Sequence, residues 1–144
     1  MKPINNSAPV KAEKSIIINS DIDKVWQILT DIDNWSNWNS DISKSKINGE
    51  IRKAQTFDWK TGGTKLHSEI HTYNPKNKFG WTGKVLGVYA IHNWNLTETE
   101  NGTTVLVAES MEGFLAKLFR KSFQKTLENG MTNWLELMKK ECEK

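Results

Sequence analysis

Residues Phe114–Glu141 read FLAKLFRKSFQKTLENGMTNWLELMKKE, the longest uninterrupted helical pattern in the chain. Leu115, Phe119, Phe123, Leu127, Met131 and Leu135 form a continuous i, i+4 row, with Leu118, Trp134 and Met138 beside it. This spacing predicts one amphipathic helix. At 1.5 Å per residue it would run for roughly 40 Å. A row at steps of four winds slowly around the axis, so its partner must cross it obliquely. Only a surface that wraps the helix can cover so long an apolar stripe.

The segments before it supply such a surface. Val10–Ile18 ends in a β-branched run and reads as a strand. Ser20 is the expected N-cap of a short helix carrying Ile22, Val25, Trp26 and Leu29, with Asp23 three residues on. A second helical turn is expected over Asp31–Trp35. Then come six strand-like segments: Ile42–Ile47, Glu50–Lys60, Thr64–Tyr73, Lys78–Lys84, Tyr89–Glu98 and Thr103–Glu112. Asn48-Gly49, Gly62-Gly63, Asn74-Pro75-Lys76-Asn77 and Asn101-Gly102 punctuate them, with Asn48-Gly49 expected to be a tight hairpin. Leu86-Gly87-Val88 reads as an apolar loop, expected to be a flap over a cavity mouth. Consecutive strands with short turns make an antiparallel sheet, and strong twist lets it curl around one helix. The expected fold is α+β: a curved seven-stranded antiparallel sheet wrapped around a long C-terminal helix, with two short helices after strand one. Residues 1–9 are expected to be a flexible tail and residues 10–144 one domain.

Composition narrows the function. Twenty basic against 17 acidic residues give a net charge of +3, too mild for a nucleic-acid footprint. The lone cysteine, Cys142, excludes an internal disulfide framework and fits a reducing, cytoplasmic setting; it sits at what reads as the frayed chain end. No apolar run approaches spanning length, so stable membrane insertion is not expected. Seven tryptophans are many for 144 residues, and their rings need walls to pack on.

Asp23-Lys24-Val25-Trp26-Gln27-Ile28-Leu29-Thr30-Asp31, followed by Trp35 and Trp38, resembles the opening signature of the START-like (SRPBCC) superfamily. More narrowly it resembles the polyketide cyclase/dehydrase and lipid-transport group. Phe79-Gly80-Trp81-Thr82-Gly83 is similar to that group's mid-sheet aromatic motif. His92–Leu96, Asn101-Gly102-Thr103 and Glu109–Gly113 are similar to its last hairpin. The resemblance covers Val10–Glu141. It implies a helix-grip fold with a cavity between sheet and long helix. Relatives include lipid carriers, plant ligand-binding proteins, aromatase/cyclases, a quinone-binding group and chaperone activators. No catalytic residue set of a characterised member matches.

The side chains that carry chemistry are few. His67 and His71 lie four apart on a strand, roughly 13 Å from each other, and cannot share an ion. Their face also holds Lys65, Glu69 and Tyr73 and reads as solvated. His92 shares a strand face with Trp94 and Leu96, and Glu109 stands between Val107 and Met111 at two-residue steps. If both face inward they form an acid–base pair; if they lie at the rim, water or backbone satisfies them. Phe57, Trp59, Trp81 and Trp94 serve as pocket wall or as packed core. Trp26, Trp35 and Trp38 are assigned to structure or to the cavity mouth. Gly130, inside a strong helical run, is expected where sheet or ligand comes close. Lys117, Arg120, Lys121 and Lys125 lie off the apolar stripe. They are a solvated face, or a contact for an anionic membrane or an acidic partner.

The expected function is binding or carriage of a small, largely apolar ligand: a lipid, a quinone or an aromatic polyketide-like compound. Trp59, Ile70, Trp81, Tyr89, His92, Trp94, Glu109, Phe123, Leu127 and Met131 are the expected contacts. One rival is a cyclase or dehydratase using His92 and Glu109 as proton carriers. Another is a protein-binding regulator using the basic helix face. No metal, cofactor or nucleic acid is expected, and transient membrane contact stays open.

Overall fold

The computed structural model describes Met1–Lys144 throughout. Its strands are β1 (Val10–Ile18), β2 (Ile42–Ile47), β3 (Thr56–Thr61), β4 (Thr64–Asn74), β5 (Lys78–Val85), β6 (Val88–Thr99) and β7 (Gly102–Glu112). Helices α1 (Ile22–Thr30) and α2 (Trp35–Trp38) follow β1, joined by a 3-10 turn at Ile32–Asn34. Helices α3 (Phe114–Leu118) and α4 (Arg120–Cys142) end the chain. All strands are antiparallel, in the order β1-β7-β6-β5-β4-β3-β2. The fold is therefore α+β, a seven-stranded sheet gripping a long C-terminal helix.

The two sheet edges are covered rather than left bare, which keeps them from pairing with other chains. Along β1, the Gln124 side chain of α4 accepts from Lys11 N and donates to Lys11 O. Lys139 donates to Ile17 O. Along β2, the Asp33 carboxylate accepts from Ile47 N, and Ser45 donates to Ile32 O. The core between sheet and helices contains Trp26, Trp35, Phe57, Phe79, Trp94, Leu135 and Met138.

Several local expectations need correction. Asp21, not Ser20, caps α1, its carboxylate accepting from Lys24 N at 2.8 Å. Asn48-Gly49 does not close a tight hairpin. Residues 48–55 form a wide loop, because Ile51 folds back onto the core. The expected strand from Glu50 accordingly starts at Thr56. Gly62-Gly63, with φ of 53° and 79°, does form the tight β3–β4 turn.

The single long helix is broken at Phe119, whose φ and ψ are −107° and 35°. Helix α3 is held elsewhere: Leu115 N donates to Gly87 O, and Ala116 is fully buried. Only the later part of the i, i+4 row, Leu127, Met131 and Leu135, is buried, whereas Phe119 is exposed. Cys142 is not frayed. It ends α4 at 1% exposure, and burial pushes its thiol up to about 12. A bulge between Ile70 and Thr72 shifts the parity of β4. Tyr73 consequently faces inward, onto Trp26 and Phe79, instead of sharing the outer face with His67.

The first residues lie over the convex face of β6 and β7. Asn5 N donates to Ser110 Oγ, Asn93 Nδ2 donates to Lys2 O, and Ala8 is buried.

Candidate functional site

A pocket of about 220 Å³ lies between the concave face of the sheet and α4, lined by nineteen residues of which eleven are hydrophobic. Its existence follows from side-chain size. Gly83 on β5, Ala90 on β6 and Gly130 on α4 all face it. A Cβ added at Gly130 would meet no atom within 4 Å, so neither the sheet nor any other part of the chain crowds that turn of the helix. Half of the expectation for Gly130 is thereby corrected: what lies opposite is open space.

Trp59, Trp81 and Trp134 form one wall. All three lean on Trp35 of α2, at centroid distances of 5.9, 5.5 and 5.3 Å. Val85, Val88, Met111 and Leu127 are among the remaining apolar positions. Asp41, Thr61 and Thr126 add polar groups, and Asp41 accepts from Asn133 at 2.7 Å.

The antiparallel register sets His92 on β6 directly opposite Glu109 on β7 and beside Trp81 on β5. His92 Nδ1 lies 3.1 Å from Glu109 Oε2. The imidazole stacks on Trp81 with 4.4 Å between centroids and 7° between planes. The residue is 6% exposed, and its Nε2 has no hydrogen-bond partner. Trp134 Nε1 is also buried without one. A carboxylate beside Nδ1 favours the tautomer with its proton there, and in that tautomer Nε2 is an acceptor without a partner. Such a nitrogen can bind a hydroxyl or take its proton. Ser68 Oγ, by contrast, accepts from Trp59 Nε1 at 3.0 Å, and Thr61 Oγ1 donates to Asp41 O at 2.9 Å.

Of the residues expected from sequence, Trp59, Trp81, His92, Glu109, Leu127 and Met131 line the pocket. Ile70 and Trp94 are fully buried core, and half-buried Phe123 packs beside the core and against Phe119. Tyr89 is a correction. It lies on the opposite face of β6, between the ammonium groups of Lys2 and Lys84 at 5.7 and 5.8 Å, because its neighbours Val88 and Ala90 hold the inward parity. Trp134 also lines the pocket, whereas sequence places it only in the helical stripe. Its seven-residue spacing from Leu127 is the signal that places both on one face. Val88 belongs to the loop expected at the cavity mouth and Met111 shares the strand parity of Glu109, whereas Val85 carries no signal of its own. His67 pairs with Asp58 at 2.6 Å on the outer surface, and no three His, Cys, Asp or Glu side chains converge to hold a metal.

A long helix gripped by a curved antiparallel sheet, with a pocket between them, defines the helix-grip class. Within it, the chain belongs to the polyketide cyclase/dehydrase and lipid transport family, whose description matches residues 9–143. No curated protein matches the chain in sequence. Among solved structures, a hypothetical protein, jhp0584, from Helicobacter pylori is similar over 99% of this chain and 97% of its own, at 20% identity and a TM-score of 0.86. The Zhui aromatase/cyclase from Streptomyces sp. R1128 is similar over 92% of this chain and 93% of its own, at 14% identity and a TM-score of 0.81. The di-domain aromatase/cyclase StfQ of the steffimycin biosynthetic pathway matches over 93% of this chain and 50% of its own, at 17% identity and a TM-score of 0.79. At these identities the likeness is one of fold.

Proposed function

We propose that the protein binds a small, largely apolar, ring-containing molecule in the pocket, with a hydroxyl or enol directed at His92. The observation that carries this reading is the unpartnered Nε2 of a buried histidine on an otherwise mainly apolar wall. Leaving such an atom unsatisfied costs about 1–3 kcal/mol, and a ligand that supplies the missing hydrogen bond recovers it. Size selects within the candidates. An apolar cavity of about 150 Å³ holds benzene, and drug-sized ligands need about 300 Å³ or more. A pocket of about 220 Å³ suits one or two fused rings, such as a naphthol or a small quinol, better than a two-chain lipid.

Tryptophan fluorescence reads binding directly, since Trp59, Trp81 and Trp134 line the site. Titration with naphthols and naphthoquinols should quench emission, and His92→Ala should weaken binding about five- to thirtyfold. Absence of quenching by every ring compound, or equal affinity in His92→Ala, overturns the proposal.

The 3.1 Å approach of Glu109 to His92 supports a second reading, a cyclase or dehydratase in which Nε2 removes a proton next to a carbonyl. Incubation with aromatic polyketones separates the two. Product that forms with wild type and falls a hundredfold or more with His92→Ala, while binding changes little, favours the enzyme. Binding without turnover favours the carrier.

A further inference from the structure

Four large apolar side chains stand exposed near the pocket rim: Leu86 at 88%, Phe114 at 66%, Leu118 at 69% and Phe119 at 50%. They belong to one structural unit. The Leu86-Gly87 turn joins β5 to β6, and Gly87 O accepts from Leu115 N at 3.2 Å. A Cβ at Gly87 would sit 2.8 Å from both Phe114 and Leu115, so turn and helix α3 are in close contact. Phe114 and Leu118 are four apart and share one face of α3, while Ala116 anchors the other. Val85 and Val88, on either side of the turn, line the pocket. Each of the four is at least half exposed, Phe119 resting one face near Phe123.

Along the chain between Glu112 and Glu128 the charge is one-sided. Residues 113–127 contain Lys117, Arg120, Lys121 and Lys125 and no acidic residue, which leaves the rest of a +3 chain at −1. All four cations are exposed, and none takes part in an ion pair. Apolar side chains set among unpaired cations combine the two signals that hold a protein on an anionic bilayer.

We propose that the Leu86-Gly87 turn and helix α3 form a docking face for an anionic lipid surface, setting the pocket rim against the bilayer. An apolar ligand then passes between membrane and pocket with little exposure to water. No helix is long and apolar enough to cross a membrane, so the contact is superficial.

The test is flotation of the unliganded protein with vesicles of phosphatidylcholine, alone or with about one-third phosphatidylglycerol. Wild type should float with the anionic vesicles only, and high salt should release it. Leu86→Ser with Leu118→Ser should lower partitioning tenfold or more. Lys117→Gln, Arg120→Gln and Lys121→Gln together should lower it about a hundredfold, at about fivefold per cation. These positions are exposed, so unchanged melting temperatures serve as the folding control. No flotation with anionic vesicles, equal flotation with neutral ones, or variants that float like wild type overturns the proposal. So does a wild-type dimer in sedimentation that the serine pair dissolves, since it assigns the face to a second copy. Because no ligand is present, failure here leaves the pocket proposal standing, and naphthol binding tests that separately.

Discussion

The two ends of the grip are made by the same sheet and helix, yet one is solid and the other hollow. At the solid end Trp35 sits at zero exposure, with Phe57 and Trp134 edge-on at 5.5 and 5.3 Å and its Nε1 donating to Leu29 O. Trp26, Phe79 and Met138 extend this packing toward α1. At the hollow end the inward positions include Gly83, Ala90 and Gly130. The difference is side-chain volume, and the pocket lies where the chain places small residues on facing elements.

Substitution at each end sharpens this contrast. The largest effect is expected for Trp35→Ala, which removes the ring that supports all three pocket tryptophans. Such a deletion costs about 3–5 kcal/mol, measured by urea unfolding. A cost below about 1 kcal/mol would show that the solid end is not the stability centre.

At the hollow end, Gly130→Leu fills empty space rather than crowding a core. Naphthol affinity should fall at least about tenfold while the fold survives. Gly130→Ala should raise stability by about 1 kcal/mol, the helix-propensity difference, with a smaller loss of affinity. A drop in melting temperature for Gly130→Ala would break the comparison, since it requires a neighbour where open space is found.

The smallest effect concerns the two histidines on opposite faces of the sheet. His92 faces the pocket. His71 faces outward beneath the first residues, its Nδ1 2.8 Å from Thr72 Oγ1, in space left open by the absent side chain of Gly80. Burial first, then Lys2, the N-terminal ammonium and His92, lower His71 from 6.5 to about 4, against a raising contribution from Asn93. The unfolded chain binds a proton between these values and the folded protein does not, so the unfolded state is favoured as pH falls. The contribution of His71 is complete above pH 6.5 and is lost as pH drops toward 4. The carboxylates of Asp33 and Asp58, held below 3.8 by Lys46 and Ile47 N and by Asn48 and His67 despite partial desolvation, act at lower pH. His71→Gln should flatten the fall in melting temperature between pH 6.5 and 4.5. An unchanged slope would place the loss in other groups.

Sequence alone decides the seven strands, the two short helices and the long C-terminal helix, because alternation, helical spacing and turn glycines are local signals. It also brings His92 and Glu109 forward, since the parity of neighbouring apolar residues is readable along a single strand. Tertiary structure decides what depends on two elements at once. The break at Phe119 arises because α3 is held by Gly87, a residue 32 positions earlier. The bulge at His71 turns Tyr73 inward, and packing of the end of α4 on the rest of the fold buries a cysteine that reads as frayed. The pocket itself is of this kind. Gly83, Ala90 and Gly130 are unremarkable separately, and they make a void only because strand register and helix crossing set them facing one another.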